Sequence, residues 1–153
     1  MSEPHKFIPL NIAVMTVSDT RTEENDKSGN KLKTMLEEDG HRLADKVIVP
    51  DDIYRIRAVV SNWIADNDIQ VIITTGGTGL TGRDGTPEAV SPLLDKVIDG
   101  FGEMFRVLSY DIIGKRVVTE SSARKAIGNR RSSSIPGCVV VAHGNLPVRI
   151  CMN

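Results

Sequence analysis

The sequence predicts an α/β fold, three-layered, with a mainly parallel sheet and helices on both faces. Three short apolar runs rich in β-branched residues, at 10–17, 43–49 and 69–75, have the continuous hydrophobicity of strands buried on both sides. Each run ends in a cluster of polar or glycine residues. Each is followed by a segment whose apolar residues recur at a helical period. Strand and helix therefore alternate as β-α-β-α-β-α, which implies parallel strands joined by helical crossovers.

Taken in order, residues 1–9 form a polar start, and the first strand, 10–17, ends at Ser18-Asp19-Thr20-Arg21. Residues 22–27 are charged and loop-like. Asp26 or Ser28 can cap a helix running to Asp39, with Leu32, Met35 and Leu36 inward and Gly40 as its stop. The second strand, 43–49, ends at Pro50-Asp51-Asp52. Ile53, Ile56, Val59, Val60, Trp63 and Ile64 then keep a 3.6-residue period, the mark of a helix with one buried face. Trp63 on that face reads as core. Asn67-Asp68 turns the chain into the third strand, 69–75.

That strand opens into a loop of glycines and hydroxyls. Gly76, Gly77 and Gly79 permit close backbone approach to a ligand, and Thr75, Thr78 and Thr81 add hydroxyls. Arg83 and Asp84 place opposite charges at the loop's far end. Pro87-Glu88 suits the first turn of a helix, where proline is tolerated and an acid meets the positive end of the dipole. Val90, Leu93, Leu94, Val97, Ile98 and Phe101 continue a helical stripe, with Pro92 acceptable if the helix proper begins near Ser91. After Gly100 and Gly102, Met104, Phe105, Leu108 and Ile112 resume the pattern. Residues 139–142 read as a further strand.

The chain has 153 residues, enough for one domain with its own core over 1–153. Its 40% hydrophobic and 25% charged content are those of a water-soluble protein, and no apolar run approaches the roughly 20 residues of a membrane span. Residues 1–9 lack the apolar core of a signal peptide. Cys138 and Cys151 show no metal-ligand spacing, and His5, His41 and His143 are scattered, so a reduced, cytoplasmic setting is expected. A net charge of −1 argues against nucleic acid as a partner. The charge is unevenly divided: residues 115–153 carry seven Lys/Arg and a single acid, Glu120. Arg130-Arg131 beside serines reads as a solvated loop rather than a nucleic-acid patch, because no aromatic residue is interleaved.

In parallel sheets, ligands bind beyond the carboxyl ends of the strands. Ser18-Asp19, Asp51-Asp52 and Thr75-Gly76 all stand there, and the glycine loop adds Asp84. A strand, a stripped loop and a helix start make an anion or phosphate cradle. Two familiar phosphate motifs fit poorly. Gly77 to Gly82 satisfies G-x-G-x-x-G, but the helix waits until Pro87. The same glycines have P-loop spacing, but Arg83-Asp84 replaces the required Lys-Ser/Thr. A GTP- or NAD-binding module would rest on those patterns alone. Carboxylates beside a phosphate site need a cation between them, and Mg2+ is suitable because it takes few protein carboxylates and completes its shell with water and phosphate oxygens. For Asp19 and Asp51, helix capping or a solvated loop acid is the competing explanation.

Thr74-Thr75-Gly76-Gly77-Thr78-Gly79 with Arg83-Asp84, Thr86-Pro87-Glu88-Ala89 and Phe101-Gly102-Glu103 resembles the MogA/MoaB molybdopterin-binding family of molybdenum cofactor biosynthesis. Val17-Ser18-Asp19 and Val49-Pro50-Asp51 carry the same likeness, which covers about residues 8–114; Ile56-Arg57 and Trp63-Ile64 are closer to the MoaB branch. The resemblance implies a molybdopterin-binding-like fold and a glycine loop that holds molybdopterin. It implies a pterin site drawn from Ser18, Asp19, Thr75, Gly76, Gly77, Thr78, Gly79, Arg83, Pro87 and Glu88. In adenylylating members Mg2+ and ATP activate the pterin's terminal phosphate, and their two key aspartates correspond to Asp51 and Asp84 here. Other MoaB-type members lack those acids and do not catalyse, so the alternative role is a non-catalytic pterin-binding or scaffold protein. Relatives assemble as homotrimers or homohexamers, and partners among other molybdenum cofactor biosynthesis proteins are expected. Relatives also follow the last helix with an apolar strand, a Pro-Gly turn and a closing helix. Here Ile135-Pro136-Gly137 matches the turn, Ser132-Ser133-Ser134 replaces apolar residues, and no closing helix follows. Divergence after Gly114 and a shifted reading frame both fit that tail.

Overall fold

The computed structural model of the chain describes residues 7–77, 84–95 and 138–142. In chain order these form β1 (Asn11–Val17), α1 (Lys27–Glu38), β2 (Arg42–Val49), α2 (Ile53–Ala65), β3 (Val71–Gly76), α3 (Thr86–Val90), a 3-10 turn (Ser91–Leu93) and β4 (Cys138–Ala142). The strands lie in the order β2-β1-β3-β4. β1 pairs in parallel with β2 and with β3, and β4 runs antiparallel along β3. The expected α/β fold with a mainly parallel sheet is the one found, and the strand read at 139–142 supplies its antiparallel edge.

The chain steps from β1 to β2 on one side, then crosses back over β1 to reach β3 on the other. Because such crossovers are right-handed, a reversal of direction puts the two connecting helices on opposite faces. The core divides accordingly. Ile12, Val14, Val71 and Ile73 pack with Leu32 and Leu36 of α1. Ala13, Met15, Val17 and Ile72 pack with Ile56, Val60 and Trp63 of α2 and with Ala89 and Val90 of α3. The alternation of strand side chains between faces explains how one apolar run feeds both layers.

A bulge in β2 adjusts this pattern. Ile12 pairs with Leu43 but Ala13 pairs with Asp45, so Ala44 is an extra residue. Leu43 can then face α1 while Asp45, two positions on, faces α2 and accepts the Trp63 indole N–H at 3.0 Å. Trp63 is buried as expected.

Both long helices begin on aspartate caps. Asp26 accepts from the Gly29 N–H, and Asp52 from the Arg55 N–H at 2.9 Å. Thus Asp26, not Ser28, caps α1. Asp52, not Asp51, supplies the α2 cap. α1 stops before Gly40, as its sequence suggests.

The helical stripe from Val90 is cut short. α3 ends at Val90, a single 3-10 turn follows, and Leu94 is extended with ψ 124°. Pro92 has no N–H to give the Glu88 carbonyl, four residues back. Arg57 of α2 takes that place: its guanidinium donates to the Glu88 carbonyl at 3.1 Å and to the Ala89 carbonyl at 3.2 Å. The remainder of the stripe, Val97 to Ile112, lies outside the described residues, as does the Pro-Gly turn at 136–137.

Candidate functional site

The crevice where the strand order reverses lies beyond the carboxyl ends of β1 and β3, which finish side by side at Val17 and Gly76. The backbone there is unusual. Gly76 and Gly77 have φ of +93° and +58°, a left-handed pair directly after an extended strand. A side chain at Gly76 would strike the Val17 carbonyl; one at Gly77 would strike the Thr86 hydroxyl and come within 3.1 Å of Asp51 Oδ2. The chain therefore turns tightly across the end of β1 toward the loop after β2.

Asp51 stands at the centre of this arrangement. Its Oδ1 accepts the Gly85 N–H at 3.1 Å. Its own N–H donates to Asp19 Oδ1 at 3.1 Å. Its other carboxylate oxygen borders Gly77. Loops after β1 and β2 and the end of the glycine loop are thus tied together through half-buried Asp51, by its backbone N–H on one side and its carboxylate on the other. Asp84, half-buried, is the residue beside Gly85. Thr86 completes the frame: its N–H donates to the Gly77 carbonyl and its hydroxyl to the Gly76 carbonyl, both at 3.1 Å.

The other predicted site residues divide. Ser18 is half-buried; its N–H donates to the Val49 carbonyl at 2.9 Å, and its hydroxyl oxygen accepts the Thr20 and Arg21 N–H groups at 3.2 Å. It shapes the β1 turn beside the crevice. Thr75 is buried, and strand alternation sets it on the α1 side with Val71 and Ile73. Pro87 is buried in the first turn of α3, and the Glu88 side chain is exposed. Thr78, Gly79 and Arg83 lie outside the described residues.

Below the Ser18 turn, on the α1 face, sits a charged cluster. Asp26, 1% exposed, accepts the Thr16 hydroxyl at 2.9 Å, the Gly29 N–H at 3.0 Å and a contact from Lys46 Nζ at 3.1 Å. Lys46 also reaches Glu23 at 2.8 Å. Burial pushes the Asp26 carboxyl upward, but the Gly29, Thr16 and Lys46 donors outweigh it and hold the group below its ordinary value. Burial pulls Lys46 downward, and its bonds to Glu23 and Asp26 reverse that, leaving it raised.

This cluster, Arg57 and the bracing role of Thr86 were not foreseeable from spacing. Thr86 finds its partners nine and ten positions back in the chain, and Lys46 meets Asp26 only once β2 lies beside β1. An acid closing a run of charged loop residues, just ahead of a helical pattern, was the available signal for Asp26, and it indicated the cap but not the ion pair.

Chemically, Asp19 and Asp51 are linked at the strand ends beside the glycine turn, and Asp84 directly precedes the Gly85 that bonds Asp51. Among the described residues no three His, Cys, Asp or Glu side chains form a ready-made cage for a metal ion. Mg2+ does not need one, since one or two carboxylates with substrate phosphate oxygens suffice. The donor chemistry of Asp51 and Asp84 fits that cation.

The sequence model described as "Probable molybdopterin binding domain" matches residues 13–146, well past Gly114. Molybdenum cofactor biosynthesis protein B of Escherichia coli K12 is 49% identical over 125 residues, spanning 82% of this chain and 73% of that protein. The protein of the same name from Bacillus cereus is 44% identical over 141 residues, 92% of this chain and 80% of its own length. A crystal structure of Molybdenum cofactor biosynthesis protein B superposes with a TM-score of 0.69 at 47% identity, over 72% of this chain and 70% of that one. The tungsten cofactor synthesizing protein MoaB from Pyrococcus furiosus superposes at 0.64 with 36% identity, over 76% and 70%. Among the described residues no helix is long and apolar enough to cross a membrane. With the predicted fold, the glycine turn and these likenesses together, the chain belongs to the probable molybdopterin-binding domain family of molybdenum cofactor biosynthesis.

Proposed function

We propose that the chain binds molybdopterin in the strand-end crevice and adenylylates it with Mg-ATP, releasing pyrophosphate. The observation that carries this reading is the placement of Asp51, bonded to the Gly85 N–H and bordering Gly77, at the meeting point of three loops. A carboxylate held against a glycine turn that receives a phosphate repels that anionic ligand unless a cation is shared. That is the electrostatic logic of phosphoryl and nucleotidyl transfer.

In this reading Gly76, Gly77, Thr78 and Gly79 receive the pterin's phosphate region, with Thr75 supporting the turn from beneath. Ser18, Asp19, Arg83, Pro87 and Glu88 shape the walls. Asp51 and Asp84 hold Mg2+, which when bound offsets the charge between the two phosphate groups. An oxygen of the molybdopterin phosphate attacks the α-phosphorus of ATP. The bond from that phosphorus to the β-phosphate oxygen breaks, and pyrophosphate leaves with the electron pair. The roles of the protein are alignment and charge compensation. The active species is a homotrimer or homohexamer of a single domain spanning 1–153, cytoplasmic, handing its product to other molybdenum cofactor biosynthesis proteins.

A second reading has its own support. The Gly85 N–H already occupies Asp51 Oδ1, so the carboxylate can serve as a structural acceptor in a non-catalytic molybdopterin-binding protein. Pyrophosphate release separates the two. Purified protein with molybdopterin and ATP is expected to release pyrophosphate in the presence of magnesium and not after chelation. Saturable molybdopterin binding without release establishes the binding protein instead.

A further inference from the structure

We infer that Thr86 is a positioning residue for the ligand site, setting the Gly76-Gly77 turn against Asp51; the inference rests on the molybdopterin-binding reading above. Thr86 is fully buried, and both its polar donors point back at the turn. The hydroxyl meets the Gly76 carbonyl and the backbone N–H meets the Gly77 carbonyl, each at 3.1 Å. The two carbonyls belong to consecutive left-handed residues, so both peptide planes of the turn are held by one side chain and its own backbone. With the Gly76 carbonyl pinned to Thr86, the orientation of the Gly77 N–H is determined, because the peptide unit they share is planar.

Thr86 also bridges the turn to the acid. Gly85, immediately before it, donates to Asp51 Oδ1. A Cβ on Gly77 would meet both Thr86 Oγ1 and Asp51 Oδ2, so the three groups pack around one point. The other end of α3 is anchored independently, by Arg57 on the Glu88 and Ala89 carbonyls. α3 is therefore a five-residue bracket clamped at its far end to α2, and Thr86 is its working end. A hydroxyl is required there for a geometric reason. The Gly76 carbonyl faces inward at the edge of the core, and valine would fill the same volume while leaving that oxygen without its donor.

The test uses Thr86→Val and Thr86→Ser in the full chain. Molybdopterin binding is followed by fluorescence titration, and hydrogen exchange is read on peptides spanning the glycine turn and on α2. Thr86→Val is expected to weaken molybdopterin binding about tenfold, the scale of a lost hydrogen bond and an unpaired carbonyl. It is expected to speed exchange at residues 76–85 and leave α2 protected. Thr86→Ser is expected to restore both. Unchanged affinity and exchange in Thr86→Val, or equal losses in both variants, overturn the inference. If the unaltered protein binds no molybdopterin, the binding reading fails on its own. The exchange comparison then still decides whether the Thr86 hydroxyl holds the turn.

Discussion

A single carboxylate illustrates how much of the site depends on contacts distant in the chain. Asp52 takes the capping role on α2, and Asp51 faces the glycine turn. From the sequence alone, either aspartate could have capped the helix, and Asp51 was legible as a strand-end acid but not as the meeting point of three loops. Its partner Gly85 lies 34 residues away, beyond the reach of local patterns. The glycines were more legible, since a Gly-Gly pair directly after a buried strand has few other uses. Their demand can be tested at Gly76. An alanine there needs φ near +93° and drives its Cβ into the Val17 carbonyl, which is backbone and cannot move aside. Gly76→Ala is expected to lose at least about 2 kcal/mol of stability, the scale of a strained residue, and to lose ligand binding with it. Chemical denaturation checks the first and fluorescence titration the second.

At the scale of elements, periodicity located β1, β2, β3, α1 and α2 to within about two residues, the usual uncertainty of element ends. It failed at α3 because an apolar stripe reports burial, not continuity. Val90, Leu93 and Leu94 do lie on the core, yet the helix ends between them as Pro92 withholds an N–H and Arg57 captures the orphaned carbonyls. Removing that clamp by Arg57→Ala is expected to leave two carbonyls without their donor. We expect a loss of about 1–3 kcal/mol and faster hydrogen exchange in α3 than in α1. The Asp26–Lys46 pair is the other element-level device, joining the start of α1 to β2 under the Ser18 turn. The Asp26 carboxyl lies below its ordinary value of 3.8, so its contribution is full above that pH and disappears as the pH falls through the lower folded value. Lys46 lies above 10.5, so its contribution is full below that pH and is lost as the pH rises through the folded value. Asp26→Asn is expected to cost about 3 kcal/mol at neutral pH, as breaking a buried pair does. It is also expected to flatten the loss of stability below about pH 4, measured by urea midpoints across pH.

For the whole molecule, the step from β1 out to β2 and back across to β3 explains why one end of the sheet carries every candidate acid. The reversal opens a crevice at the β1–β3 junction, and three loops converge on it. The placement of the acids at one end of the sheet follows from alternation of elements and was legible in the sequence, whereas the bonds that draw the loops together were not. Nor was the antiparallel attachment of β4 to β3, because a short apolar run gives a strand without its direction. The expected homotrimer or homohexamer is checked by light scattering, where a monomeric mass argues against it. The central claim is that Asp51 and Asp84 act together at this crevice on one phosphate-bound magnesium ion. Magnesium-dependent pyrophosphate release from ATP and molybdopterin tests it in the unaltered protein, Asp51→Asn, Asp84→Asn and the double variant. Each single change keeps side-chain size and removes one charge, and is expected to reduce turnover at least about a hundredfold while molybdopterin still binds. The double variant is expected to lose less than the product of the single losses, because the two groups share one cation. Near-normal turnover in Asp84→Asn, or strictly multiplicative losses in the double variant, would contradict the account.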